Sequence, residues 1–260
     1  EKKPRGDRRA AAAQQDEVEE SDATMAELLA AVVRGDATAV DLLLRRGAEI
    51  DRQDRSGRTA LLAAAAEGHE PVVNLLLQRG ADINHQDSAK RTALVAAAAH
   101  ATTVGHEMIV HELLFRRATV DLDTALGETA LMFAARGGHE RLVDKLIEHG
   151  AEVDRQAKDG ATPLMFAVSG AHAATVRRLL RAGADIKARD ASGRTALTLA
   201  REGGLNECVD AFKRHVEGLA ASRVALMGRR EASGAAAVAG ASSDAWVAAA
   251  AASVRAASTA

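Results

Sequence analysis

One phrase returns five times along the chain: "TALLAAAAEGHE", "TALVAAAAHATTVGHE", "TALMFAARGGHE", "TPLMFAVSGAHA" and "TALTLAREGGLN". Its threonines, Thr59, Thr92, Thr129, Thr162 and Thr195, stand 33, 37, 33 and 33 residues apart. Four extra residues, "ATTV" from Ala101 to Val104, account for the long interval. A period of this length means stacked units, each too small to bury its apolar side alone.

Two short helices are expected in each period. Threonine opens a run of small apolar residues, where its hydroxyl accepts from free N–H groups of the first turn. Pro163 follows Thr162 at the first helical position, where its missing N–H costs little. A second apolar run comes next, as in "PVVNLLLQRGADIN" and "RLVDKLIEHGAEVD", spaced for one face of a helix. Gly80, Gly150 and Gly183 follow it, where a helix ends in a left-handed residue. A D-x-x-G turn such as "DRSG", Asp54 to Gly57, leads into the next unit. Composition fits close backbone packing over small side chains: aromatics are 2 % of the chain, with no tyrosine and a single Trp246.

The D-x-x-G-x-T-x-L opening, the small-residue helix, the Gly-His, the V-x-x-L-L and the G-A-D-I-N close together resemble the ankyrin repeat. Asp54 to Asn84 matches that pattern almost throughout, and a worn copy with Ala26 in place of threonine precedes it. The resemblance implies an all-α ankyrin-repeat α-solenoid, helix-turn-helix pairs with β-hairpin-like loops. About six units are expected, at 22–53, 54–86, 87–123, 124–156, 157–189 and 190–215. Departures from the pattern carry expectations of their own. Lys90 and Arg117 replace glycines, so the unit holding them is expected to sit less tightly. Leu205 and Lys213 mark the last unit as a polar-faced cap.

"GHEMIVHELL", Gly105 to Leu114, imitates the H-E-x-x-H of zinc proteases, but its second histidine comes one residue late. Residues five apart on a helix differ in direction by about 140°, so His106 and His111 face apart. His106 is instead the recurring Gly-His histidine, matching His69, His139 and His172. No metal or other cofactor is expected, and the chain reads as a non-enzyme. It has no phosphate-cradling loop and no G-x-S-x-G elbow. Its lone Cys208 sits at an apolar helical position and is expected to be a buried, inert thiol.

A formal charge of −2 and the scarcity of aromatics argue against nucleic acid as partner. No apolar run is long enough to span a bilayer. With one cysteine and no signal pattern, the expected setting is intracellular, cytoplasmic or nuclear, and the expected state a monomer. "RGD" at Arg5 to Asp7 is read as coincidence. Residues 1–21 carry opposite charge blocks expected to be disordered. From 216 to 260 an Ala/Ser/Gly-rich tail is expected, partly helical at its start. The chain opens on Glu1, so it is also read as open to being part of a longer product.

The resemblance implies a protein–protein interaction module whose partner, another protein, docks on the concave side lined by loop tips and first helices. The five tips carry formal charges of +1, +1, −3, 0 and +2, so no uniform basic trough runs across them. The partner-binding residues projected onto the tips are Arg55, Arg58, His85, Lys90, Arg91, Leu122, Leu126, Glu128, Arg155, Lys158, Arg189 and Arg194. Leu122 and Leu126 of the acidic tip are expected to be exposed anchors, with the arginines receiving acidic partner groups. Leu76, Asp82 and Asn84 are spaced as in the asparagine-hydroxylation pattern of many ankyrin repeats, which makes Asn84 a candidate for modification; the same residues are also plain repeat consensus. A second role left open by the resemblance is the targeting or substrate-recognition domain of a larger enzyme or ubiquitin-ligase component.

Overall fold

The computed structural model describes residues 24–218, which form helices joined by turns. The charged lead-in, the "RGD" and the tail with Trp246 lie outside the described residues. The chain divides into two compact units, Glu1–Cys208 and Val209–Ala260.

In the first unit the helices come in pairs. They are α1 (24–33) with α2 (Ala37–Arg45), α3 (Ala60–Glu67) with α4 (Glu70–Gln78), and α5 (Ala93–Ala99) with α6 (Val104–Phe115). Then follow α7 (Ala130–Gly137) with α8 (Glu140–Glu148), α9 (Pro163–Ser169) with α10 (Ala173–Arg181), and α11 (Ala196–Glu202). Residues 206–208, also helical, close this unit. Helices this short are marginal in water, so tertiary packing must hold them. The first helices α3, α5, α7, α9 and α11 pack one against the next, and α2, α4, α6, α8 and α10 make a second row behind them.

Threonine does what its place in the repeat predicts. The hydroxyls of Thr59, Thr92, Thr162 and Thr195 accept from the N–H of Leu62, Val95, Met165 and Thr198, at 3.2–3.4 Å. Thr129 departs: its buried hydroxyl has no partner, and its N–H donates to Met132 Sδ at 3.4 Å. Five residues after each threonine stands an alanine with no exposed surface: Ala64, Ala97, Ala134, Ala167 and Ala200. Small side chains at these buried places leave room for the packed helices to come close. Larger side chains fill the space elsewhere, with Leu61, Leu94, Leu131 and Leu164 on the first helices and Leu76, Leu113, Leu146 and Leu179 on the second, all fully buried.

Gly80, Gly150 and Gly183 take φ of 89°, 89° and 93°. Arg117 takes φ 64° at the matching position, and Lys90 takes φ 57° at a tip. A side chain in that region costs roughly 1–2 kcal/mol per residue, so the third unit carries strain its neighbours avoid. The four-residue insertion lies in the α5–α6 connection. Its last residue, Val104, opens α6, which has 12 residues against nine in each of α4, α8 and α10.

Cys208 is buried, and its thiol pKa is pushed up by that burial and by Glu207, with Arg177 opposing. In the second unit, described from 209 to 218, Ala211 and Phe212 are buried and Lys213 pairs with Asp210 at 3.0 Å.

Candidate partner-binding face

The tips are tied to one another through backbone. The Ser56 carbonyl accepts from Ser88 N–H at 3.1 Å, and Ala89 from Ala125 at 2.8 Å. Leu126 accepts from Lys158 at 2.9 Å and Asp159 from Ala191 at 2.8 Å. In each case the third residue of one turn receives the second residue of the next. Gly127, φ 77°, allows this approach: a Cβ there would stand 2.9 Å from Lys158 N. A second set of links runs alongside. The carboxylates of Asp51, Asp121 and Asp154 accept from the N–H of Asp82, Glu152 and Asp185, one unit on.

Asn84 belongs to that second set, since its Oδ1 accepts from Thr119 N–H at 2.9 Å. The candidate modification residue therefore already has a structural task between two units.

Three projected arginines are occupied within their own turns. Asp54 accepts from the N–H of Ser56 and Arg58 and pairs with the Arg58 guanidinium at 2.9 Å. Asp87 does the same for Ala89 and Arg91, and Asp190 for Ser192 and Arg194. Burial pulls the Asp54 carboxyl up, but the donors from Arg58 and Ser56 outweigh it and leave its pKa below the usual range. The Arg194 N–H is the main cause holding Asp190 low. These arginines brace the turn before they can receive anything else.

Other projected residues are also engaged. Arg155 lies 3.3 Å from Asp123 and 3.5 Å from Glu152, and its pKa is raised mainly by the Asp123 bond. Arg189 Nη1 donates to the Gly193 carbonyl at 2.6 Å, and His85 Nε2 to the Gly57 carbonyl at 3.0 Å. Glu128, mostly buried, pairs with Arg136. Leu122 is half-buried rather than exposed, because the chain has not yet reached the turn at that point. Leu126 is 65 % exposed. Arg55, Lys90 and Lys158 are exposed and have no ion pair among the described residues.

The sequence reading missed Arg136. Its guanidinium lies 4.4 Å from the Phe166 ring centroid and 5.3 Å from that of Phe133, while it also holds Glu128. Phe133 and Phe166 occupy the same place in consecutive repeats, three residues before Arg136 and Ser169, and that register was the available signal.

The histidines stitch the second row to the first. His69 Nε2 donates to the Val33 carbonyl at 2.9 Å, and His106 Nε2 to the Ala66 carbonyl at 3.0 Å. His106 Nδ1 accepts from Thr103 Oγ1 at 2.7 Å, so both of its ring nitrogens are taken. It is 4 % exposed, whereas His111 faces solvent. The zinc-protease imitation thus dissolves into one seam residue and one surface residue. Among the described residues no group of three His, Cys, Asp or Glu side chains is placed to hold a metal ion.

His139 lies in this seam. Burial lowers its pKa most, His172 and His106 add to that, and Glu107 opposes. A histidine held neutral stabilises the fold fully above its unfolded pKa of about 6.5, and loses that contribution as pH falls toward its lower folded value. Melting curves at pH 7.5 and 5.5 are therefore expected to show a drop in Tm on acidification that is smaller in His139→Gln. An equal drop in both proteins would contradict this.

Paired helices in two rows, joined by hydrogen-bonded tips, define a helix-pair repeat protein. A family model described as ankyrin repeats (3 copies) matches residues 28–122 and again 99–190, and the chain belongs to the ankyrin-repeat family. Ankyrin repeats are generally protein-interaction modules and typically non-catalytic. A comparison with curated proteins finds no match. Among the described residues no helix is long and apolar enough to cross a membrane.

Proposed function

We propose that this chain is a non-catalytic binding module or adaptor that captures a partner protein on the face formed by its tips and first helices. One observation carries the reading: Leu126, 65 % exposed, stands at the third position of a turn where the other tips place Ser56, Ala89, Asp159 and Ser192. Its carbonyl is held by Lys158 N–H, so the side chain is presented from backbone already ordered, and binding loses little further entropy. Arg55, Lys90 and Lys158, free of ion pairs among the described residues, supply charge for acidic groups around that anchor.

Affinity capture from native lysate, quantified by mass spectrometry, tests this. Leu126→Glu is expected to weaken capture of the main partner at least tenfold, with Tm unchanged within a degree or two, because the side chain makes little of the core. Lys158→Glu is expected to weaken it less. Arg58→Glu is a poorer probe, since it breaks a tie inside the turn. Full capture by Leu126→Glu would remove the tip face from the account.

A further inference from the structure

We infer that the stack is hinged between its third and fourth helix pairs: the tips hold there, while α6 and α8 of the second row open and close against each other. The inference goes beyond the binding reading and stands whether or not the tip face captures a partner.

The histidines mark the place. The rings of His69, His106 and His172 lie against glycines of the preceding pair, Gly35, Gly68 and Gly138, where a Cβ would collide with them. His139 is the exception. It lies against Gly137 of its own pair and makes no hydrogen bond among the described residues. The insertion gives the reason. In the third pair the α5–α6 connection has no glycine with positive φ, and Gly105 stands inside α6 instead. There its missing side chain lets α6 close on the Gly68 carbonyl. With His106 also bonded to Ala66 at 3.0 Å, the third pair is fastened to the second and offers His139 no seat.

Ion pairs repeat the contrast. Arg79 of the α4 end pairs with Asp41 on α2, and Arg178 on α10 pairs with Glu140, at 2.7 Å, and with Asp144 on α8. His172, which also lacks a hydrogen bond, is thus backed by a double ion pair. Between α6 and α8 the ion pair is Arg141 with Glu107, 3.8 Å apart and too exposed to contribute much. These two helices also share less contact than α4 with α6 or α8 with α10.

The tip side of the same two pairs is tied. Ala125 N–H donates to the Ala89 carbonyl at 2.8 Å, and Gln86 Nε2 to the Asp123 carbonyl at 3.1 Å. In the first row α5 packs on α7 much as it does on α3. Held at one edge and loose at the other, packed pairs move about the held edge as a hinge does. Arg55 and Lys90 lie on one side of it and Leu126 and Lys158 on the other, so the two halves of the tip face tilt with it.

Double electron–electron resonance between spin labels measures the motion. Met108→Cys/Arg141→Cys spans the hinge, and Pro71→Cys/Met108→Cys spans the matching positions of α4 and α6; all three sites are exposed and the native Cys208 is buried. The distance distribution across the hinge is expected to be about twice as broad as the other. A closing variant copies the α8–α10 bridge one seam back. Glu107 already stands where α8 has Glu140, so Lys145→Arg and His111→Asp supply the counterparts of Arg178 and Asp144. Both positions are exposed, and circular dichroism verifies the fold. The bridge is expected to narrow the hinge distribution to the width of the other. Should the bridged variant fail to fold, the comparison of the two seams decides by itself. Equal widths at the two seams, or a broad hinge distribution that the folded variant does not narrow, overturn the proposal.

Discussion

Leu131→Ala is expected to lower the free energy of unfolding by about 2–5 kcal/mol, as deletion of a large side chain from a closed core does. Leu131 is fully buried on α7, which packs on α5, on α9 and on its own partner α8. The hole left by truncation is bordered by helices held on several sides, so little of it can collapse. In a stack of repeats each unit is stabilised by its two neighbours, and a lesion in an interior unit weakens two interfaces at once. Urea denaturation monitored by circular dichroism measures the loss. Leu42→Ala on α2, where the side chain is 49 % exposed, is the control and is expected to change stability by no more than about 0.5 kcal/mol. Comparable losses at both positions would mean that the core has been placed wrongly.

The opposite lesion is expected between first helices. Ala134→Leu adds three carbons where Ala134 has no exposed surface and α7 lies between α5 and α9. Overpacking of this kind typically costs about 1–3 kcal/mol, and here the helices on either side are themselves tied through their tips. The same change at Gln78, exposed at the end of α4, adds no buried volume and should be mild. Urea midpoints for the two leucine variants provide the comparison. If Ala134→Leu were as mild as Gln78→Leu, Ala134 would not be a closely packed position.

Much of this was readable from the chain because the physics repeats with the residues. A threonine every 33 residues announces a cap, and four of the five caps have the expected hydroxyl bond. The identity of His106 followed from its copies, and its bond to Ala66 gives the repeated residue its reason. The fate of the tip arginines was also written in the repeat, but in a correlation rather than a motif. Asp precedes Arg by four residues in three tips, and where Thr124 and Ala157 replace the aspartate, Glu128 and Ala161 replace the arginine. Taken one at a time these arginines look like free positive charge; compared across units they are halves of a brace. Leu122 was harder, because burial two residues before a turn depends on how the adjoining units approach. The lengthening of α6 was not readable from one unit alone, because the insertion extends both that helix and the loop before it.

The recognition proposed for the tips depends on a chain of backbone bonds that presents Leu126 and its neighbours as one surface. Amide hydrogen exchange followed by NMR reads those bonds one at a time. The N–H groups of Ser88, Ala125, Lys158 and Ala191 are expected to be protected nearly as well as amides in the middle of the first helices, although all four lie in surface turns. Exchange of these four at the rate of an unstructured peptide would show that the tips move independently, and no shared binding surface could then be built from them.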